Sequence, residues 1–279
     1  TCSKTIASGQ LPDSGLWQWC NGCKPYCASR NLEMDAAENI RQNIARVTEL
    51  RAAQASNPAL AAAMRDIKQF QSRRFMGSYT DLMRDPTVRP ATQFFLDELY
   101  SPGDYSARDA QFARIAGTLQ TVFPRPVVHT ALTLALLHAK TEELDHAMAQ
   151  AWLAQPETTP EAGRYAVAWK TAGQPEARRQ QLAWVMELGH DLTRFTRTPG
   201  LRLLLRTMRR PAQAAGMGAL QHFLEMGFDT FGALAKKRGA VEGFLDTVRE
   251  RETRLMDLLF DAELVACETQ LARTLGQAR

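Results

Sequence analysis

Two pairs of glutamate and histidine lie three residues apart in the sequence, Glu143 with His146 and Glu187 with His190. Residues with this spacing share one side of an α-helix, where a carboxylate and an imidazole can bind the same metal ion. Bundles that bind two iron or manganese ions use two such pairs and a glutamate from each of two further helices, and Glu98 is a candidate for one of these. The sequence therefore raises the hypothesis of a metal centre inside a helical bundle.

The apolar residues around each pair indicate where its side chains lie. At about 100° per residue, Glu187 and His190 fall on the polar side of their helix, away from the side that carries Leu188. A buried dinuclear site needs all its ligands on the inward side, so we do not expect this pair to bind metal. Glu143 and His146 lie on roughly the same side as apolar residues of their long helix and stay candidates.

The helix of Glu143 also places His138, Glu142 and Asp145 on one face. Neighbouring carboxylates can hold a histidine by hydrogen bonds without metal, and we favour this interpretation, in which no cofactor is bound. General acid–base chemistry and a ligand set are the alternatives. In the second alternative the protein is a helical-bundle metal- or haem-binding protein or oxidase with iron, manganese or haem. Its ligands would be His138, Glu142, Glu143, His146 and Glu98.

Four cysteines lie near the start of the chain, at positions Cys2, Cys20, Cys23 and Cys27. Thiolates at this spacing can hold zinc or an iron–sulfur cluster, but common zinc signatures consist of two matched pairs. The segment shows no helical periodicity, and the first methionine, Met34, directly precedes an amphipathic helix. We therefore expect residues 1–33 to be an irregular cysteine-containing tail and Met34 to be a candidate natural start. A metal site and a redox pair are the alternatives.

A basic stretch without any acidic residue extends from 192 to 224. Its arginines are Arg194, Arg197, Arg202, Arg206, Arg209 and Arg210. Three of them, at 202, 206 and 209, share one face of a short helix, while the apolar residues at 201, 204, 205 and 208 share another. Because the arginine fork binds carboxylates and phosphates, the stretch predicts a surface for an acidic protein or a phosphate-bearing ligand. A solvated face, or pairing with acidic residues near 242–263, is the more usual meaning of such a stretch.

Composition limits the classes of function. The net charge of +4 does not favour a nucleic-acid partner. No apolar run approaches the ~20 residues that cross a bilayer, and the start does not resemble a secretory signal, so we expect a cytoplasmic protein. Motifs of the types G-x-S-x-G, H-E-x-x-H, G-x-G-x-x-G and G-x-x-x-x-G-K-[ST] are absent. The sequence therefore favours a non-enzymatic binding or scaffold module, with an enzyme as the alternative.

Apolar residues recur at helical spacing along most of the chain, and alternating runs typical of strands are nearly absent. We predict an all-α fold, a single domain of roughly ten helices without a sheet over residues 34–279. The last three predicted helices cover about 201–210, 211–235 and 240–275, because Pro211 and Gly239 punctuate this region. Small residues between 212 and 219 allow close helix contacts, within the chain or in a homodimer.

The stretch FFLDELYSPGDYSARDAQFARI, residues 94–115, crowds aromatic and charged side chains around one Pro-Gly break. We interpret it as a corner between two helices, with Ser106 as the cap of the second helix. The side chains expected to fix this corner are Asp97, Asp104, Ser106, Arg108, Asp109 and Arg114. The alternative is a substrate or metal site built on Glu98, Asp104 and Asp109.

The residues FFLDELYSPGDYSARD at 94–109 and TMRRPAQAAGMGALQHFLEMGF at 207–228 carry a resemblance. The first is similar to the pattern F-F-L-x-x-L-Y-x-P-x-D-[FY]-S-x-R-D of an uncharacterised family of helical bacterial proteins, and the second resembles a segment of the same family. The resemblance covers the chain from about residue 70 onward. It implies a helical fold and no particular activity.

Overall fold

The computed structural model describes residues 26–101 and 103–278, with side chains from residue 36 onward. All regular structure in this part of the chain is helical, which confirms the predicted all-α fold. The twelve helices are α1 Tyr26–Ala55, α2 Pro58–Ser78, α3 Thr80–Arg84, α4 Arg89–Leu99, α5 Ser106–Val122, α6 Arg125–Leu153, α7 Glu161–Ala172, α8 Pro175–Thr196, α9 Leu201–Ala214, α10 Gly218–Leu234, α11 Ala240–Asp261 and α12 Leu264–Gln277. None of these helices is both long enough and apolar enough to cross a membrane.

The start of α1 bears on the predicted tail. The helix begins at Tyr26 and so extends into the 1–33 segment that we expected to be irregular. The cysteine set at 2, 20, 23 and 27 lies outside the residues whose side chains the structure describes.

Two predicted helix boundaries in the C-terminal half were wrong. Helix α9 continues through Pro211, and the chain breaks instead at Gly216, whose φ of 68° is in the left-handed region that glycine tolerates. The predicted 240–275 helix is divided at Ala262, whose backbone is extended. The Lys170 ammonium donates to the carbonyl oxygens of Phe260 and Ala262 at 3.1 and 2.8 Å, which satisfies acceptors freed at this helix end.

Buried apolar side chains form three clusters that join helices distant in sequence. The first connects α2 to α7, where the rings of Phe70 and Tyr165 stack with centroids 4.1 Å apart. The second connects α4 to α11 through Phe95 and Phe244, whose centroids are 5.0 Å apart. The third lies between α1, α5 and α6 around Ile44. Helix α6 contacts α1, α2, α5, α7 and α8, and its polar residues Thr133, Glu142 and Asp145 are buried in the bundle.

The first and last helices both contribute to the interior. Helix α1 buries Ile40, Ile44 and Val47 against α5 and α6. Helix α12 buries Cys267 and Leu271 against α2 and α7. Both helices are therefore parts of the packed bundle.

Helices α2 and α12 approach each other closely at Gly77. A Cβ atom at this position would lie 1.9 Å from the carbonyl oxygen of Thr274, which belongs to the backbone of α12. Only glycine allows this contact, because any side chain would push the two helices apart.

Candidate binding cavity in the bundle

A cavity of about 160 Å³ lies between α2, α6, α7, α8 and α11, next to the corner between α4 and α5. Part of its wall is apolar and includes Leu137, Val185 and Met256. The charged and amide side chains on the wall are Lys68, Gln71, Arg74, Glu98, Arg108, Asp109, His138, Glu142, Asp145, Arg178, Gln181 and Glu252. Charges withdrawn from water are costly unless they are paired, so the partners of these groups reveal what the cavity can accept.

Two carboxylates of the wall share a cation. Arg51 donates to Asp109 at 2.7 Å and to Glu142 at 3.3 Å. Lys68 also donates to Glu142, at 2.9 Å, and His138 Nε2 lies 2.8 Å from Asp109 Oδ2. Burial alone would raise the pKa values of both carboxyls. Lys68 and Arg51 instead hold the pKa of Glu142 below its usual value. His138 and Arg51 do the same for the pKa of Asp109. Both carboxyls are therefore ionised at neutral pH.

Arg74 and Glu252 form a buried ion pair between α2 and α11. Arg74 Nη1 donates to Glu252 Oε1 at 2.5 Å, and the Tyr79 hydroxyl donates to the same oxygen at 2.8 Å. The Arg74 guanidinium carbon lies 5.2 Å from the centre of the Tyr100 ring. Burial raises the pKa of Tyr100, so that phenol stays neutral. The charges of Arg74 and Glu252 therefore balance each other.

Asp145 differs from the other carboxyls because its direct partner is neutral. It is 4% exposed, and Gln71 Nε2 donates to its Oδ1 at 2.9 Å. Burial raises the pKa of Asp145, and the attraction of Lys68 does not fully offset the rise. Asp145 therefore takes up a proton more readily than an ordinary aspartate.

Arg178 has no carboxylate within ion-pair distance among the described residues. It is 4% exposed, and its guanidinium carbon lies 3.5 Å from the centre of the Trp169 ring. Its Nε donates to the carbonyl oxygen of Gly173 at 3.4 Å. Burial lowers the pKa of Arg178, but a guanidinium stays protonated in a protein. At contact distance this buried positive charge is thus held by one aromatic ring and one carbonyl, and Asp145 attracts it from farther away.

Three donors on the wall have no acceptor in the described part of the chain. They are Arg74 Nε, Trp169 Nε1 and Arg178 Nη2, while Glu142 Oε2 has no donor. Buried polar atoms are nearly always bonded, and an unsatisfied one costs about 1–3 kcal/mol. Arg74 and Arg178 also both act on Tyr165, since burial raises its pKa and each of them opposes the rise. The unsatisfied donors therefore belong to groups around the same interior region.

The charges of this region are unevenly paired. Its cations are Arg51, Lys68, Arg74, Arg108 and Arg178. Four of its carboxylates have a cationic partner, namely Glu98, Asp109, Glu142 and Glu252. Burial raises the pKa of the fifth, Asp145, whose direct partner is the neutral Gln71. Of the five cations, Arg178 is thus the one without a carboxylate at ion-pair distance in the described chain, and Asp145 attracts it only from farther away.

The five residues predicted as metal ligands have separate contacts. Glu98 pairs with Arg108, while Glu143 pairs with cations on α1 and α6. His138 contacts Asp109, and His146 Nδ1 has no partner in the described chain. No three His, Cys, Asp or Glu side chains of the described residues are arranged to hold a metal ion. The metal alternative stays a prediction that element analysis of the purified protein would test.

The predicted corner between α4 and α5 also contacts α10. Arg108 pairs with Glu98, and its guanidinium lies over the rings of Tyr105 and Phe223 at 4.2 and 4.5 Å. Arg114 donates to two carbonyl oxygens of the turn before α10, at 2.7 and 3.1 Å. The corner thus joins α4, α5 and α10, and its inner side belongs to the cavity wall.

The predicted cap of α5 was wrong. Ser106 is the first residue of α5 and makes no capping bond. Its N–H donates instead to the Asp104 carboxylate at 2.9 Å, which lowers the pKa of Asp104. Asp97 accepts from Gln93 at 2.8 Å, and its carbonyl accepts from the Tyr105 hydroxyl.

The arginines of the basic stretch fall into two groups. Arg194, Arg202 and Arg209 pair with Asp191, Asp229 and Glu225 at 2.6–2.8 Å. Arg197, Arg206 and Arg210 are exposed and have no acidic partner within the described residues. The paired acids lie on α8 and α10, and none lies in the 242–263 region considered from the sequence.

Sequence reasoning missed Arg74, Arg178 and Glu252, although a signal was present. Arg74 continues the apolar face that Ile67 and Phe70 begin, at spacings of three and four residues. Glu252 likewise interrupts an apolar face of α11. A charge inside an apolar stripe is buried when the stripe is buried, so it needs a partner from another helix.

Comparison with known proteins gives one family. A family model described as Domain of unknown function (DUF8198) matches residues 50–265, a range that includes both segments on which the resemblance was based. No curated protein and no solved structure matches the chain at a significant level. The match covers well over half of the chain, so this chain belongs to the DUF8198 family.

Proposed function

We propose that this chain is a non-enzymatic binding protein for a small organic monoanion, a carboxylate, held in the 160 Å³ cavity. The observation that carries the proposal is Arg178, a buried cation with a free donor and no carboxylate within ion-pair distance in the described chain. A carboxylate can accept two hydrogen bonds from such a fork. Trp169 and Arg74, which line the same cavity, each have a free donor that also needs an acceptor.

Charge and size both favour an organic monoanion. The Arg178 fork can take one carboxylate, whereas a dianion would place an excess of negative charge next to Glu142 and Asp109. A cavity of ~150 Å³ holds a molecule of the size of benzene, so the available volume suits a compact carboxylic acid. The apolar part of the wall would contact its hydrocarbon portion. An inorganic ion would leave that part without a partner.

Calorimetric titration of the 279-residue chain with butyrate and benzoate tests the proposal. Replacing Arg178 by Met keeps most of the stem but removes the charge and the donors. A hydrogen bond to a charged group contributes about 1.5–3 kcal/mol, so affinity should fall about 10- to 100-fold. Arg164→Met is the matched control, since Arg164 also lies over a tryptophan, Trp152, and donates to a backbone carbonyl, but does not line the cavity.

Two results would refute the proposal. The first is the absence of binding at millimolar carboxylate, which would mean that water fills the cavity. The second is an equal affinity of the Arg178→Met and Arg164→Met variants. If Arg178→Met does not fold, Trp169→Phe replaces it, because this change keeps the ring and deletes one free donor.

The arginine surface is a second candidate, for an acidic protein or a phosphate-bearing ligand. Its support is the exposure of Arg197, Arg206 and Arg210 without acidic partners in the described chain. Binding of polyglutamate at low and high salt tests it with the triple alanine variant of these residues. A triple variant of the exposed arginines at 179, 249 and 254 is the control. Equal binding by both triple variants would dismiss the surface.

The homodimer expected from the small residues at 212–219 is kept as a proposal. Sedimentation of the chain at increasing concentration tests it, and a constant monomer mass would exclude it.

A further inference from the structure

A second cavity of about 250 Å³ lies between α5, α6, α8, α9 and α10. It shares a wall with the first cavity, because Phe95, Leu99, Leu134, Leu137 and Val185 line both. The cavity that holds Arg178 therefore adjoins an apolar space that is larger than itself.

The second cavity offers almost nothing to a polar occupant. Three of its few polar side chains already have partners: Glu98 pairs with Arg108, Thr130 donates to Asp191, and Gln221 donates to the Leu205 carbonyl at 2.7 Å. A buried water needs two to four polar partners, so this space does not favour water. Its surroundings suit a hydrocarbon.

Helix α9 forms one side of this cavity and is otherwise loosely packed. The apolar residues predicted to share a face, at 201, 204, 205 and 208, all line the cavity. Ala212 is the one buried residue of α9, and Leu203 is 67% exposed on the outside. Polar contacts with α10 hold the helix in place, including Arg202 with Asp229 and a two-pronged pair of Arg209 with Glu225. The helix covers the cavity without filling it.

We infer that the ligand is a carboxylate with a linear alkyl chain, whose chain occupies the second cavity under α9. The head group assignment rests on the proposed function, and the tail assignment rests on the continuity of the two cavities. The chemical class is that of a free fatty acid. A neutral lipid would leave Arg178 unpaired, and a bulky polar molecule would find no partners beneath α9.

A chain-length series of monocarboxylates from acetate to dodecanoate, titrated into the full chain, tests the inference. Each methylene that enters the apolar cavity should raise affinity about three- to fourfold, which corresponds to ~0.8 kcal/mol, until the space is filled. Ala131→Phe places a ring in the second cavity only, and should flatten the series while leaving the affinity for acetate unchanged. Ala62→Phe, on α2 and outside both cavities, is the matched control.

The outcomes separate the two proposals. Butyrate binding without any dependence on chain length overturns the tail assignment and leaves the proposed function standing. No binding of any carboxylate overturns both. Alkanols that bind as tightly as carboxylates of equal length overturn the anionic head. If Ala131→Phe does not fold, Leu204→Asp puts a charge at the half-exposed side of the cavity and should weaken dodecanoate binding at least tenfold without affecting acetate. Unchanged dodecanoate binding would contradict the inference.

Discussion

The ion pair of Arg74 and Glu252 offers a direct test of how dry the bundle interior is. Glu252→Gln removes the negative charge while keeping the size of the side chain and an oxygen that accepts from Tyr79. Arg74 is 5% exposed, so its charge would then remain in the interior without a counter-charge. Removing one member of a buried pair costs about 3–5 kcal/mol. Since domains are stable by about 5–15 kcal/mol, the variant should lose about a fifth of its stability or more.

The double variant decides whether the loss comes from the pair. Arg74→Met combined with Glu252→Gln removes both charges, so no uncompensated ion is left. The double variant should therefore be less destabilised than the sum of the single variants, with a coupling free energy of at least about 2 kcal/mol. The control is Glu250→Gln, because Glu250 pairs with Arg254 on the exposed side of the same helix. That change should cost less than about 0.5 kcal/mol.

Urea unfolding at pH 7, followed by circular dichroism, measures these free energies. The slope with urea should be equal in all variants, so that midpoint shifts report stability. Additive single variants that each cost less than about 1 kcal/mol would refute the reasoning. In that case water reaches the pair, and the cavity is not a low-dielectric site.

Three further predictions concern the cavity and the helix contacts. Burial raises the pKa of Asp145, so its ionisation destabilises the fold as the pH rises above the unfolded pKa of ~3.9. The Asp145→Asn variant should therefore gain stability relative to the natural chain between pH 4 and pH 7. A constant difference between the urea midpoints of the two proteins over this range would contradict the prediction. Lys68 helps to lower the pKa of Glu142, and the resulting stabilisation is present above the unfolded pKa of ~4.3 and lost as the pH falls. Lys68→Met should therefore cost about 2 kcal/mol of stability at pH 7 and much less at pH 3. An equal cost at both pH values would be the contrary result. Gly77→Ala should cost about 3 kcal/mol of stability because the added methyl group separates α2 from α12. Gly243 has open space around it, so Gly243→Ala should gain up to about 1 kcal/mol. Equal shifts of the melting temperature in the two variants would argue against the close contact at Gly77.

The sequence predicted the helices because apolar spacing is a local property. It failed at the α9–α10 and α11–α12 breaks for different reasons. Pro211 indicated a boundary, but the chain tolerates its missing N–H within α9, and Gly216 makes the turn. No punctuating residue marks Ala262, where the break depends on Lys170 from another helix. A contact with another helix cannot be read from the sequence of one helical segment.

The cavity was only partly predictable for the same reason. The shared face of His138, Glu142 and Asp145 was visible from spacing, and hydrogen-bonded histidine was the favoured interpretation. The histidine's partner is Asp109 from α5, and Glu142 bonds to Lys68 from α2. These pairings join residues from distant parts of the chain, so periodicity cannot reveal them. The absence of a carboxylate within ion-pair distance of Arg178 emerges only when every neighbouring helix is in place.

The buried residues of the first and last helices set limits on how this bundle can be shortened. The family match runs from 50 to 265, yet Ile40, Ile44 and Val47 precede it, and Cys267 and Leu271 follow it. A fragment excised at those two boundaries would present water with the surfaces that these five side chains cover. Such a fragment should be prone to aggregation, and a minimal autonomous folding unit would have to retain α12 and the second half of α1.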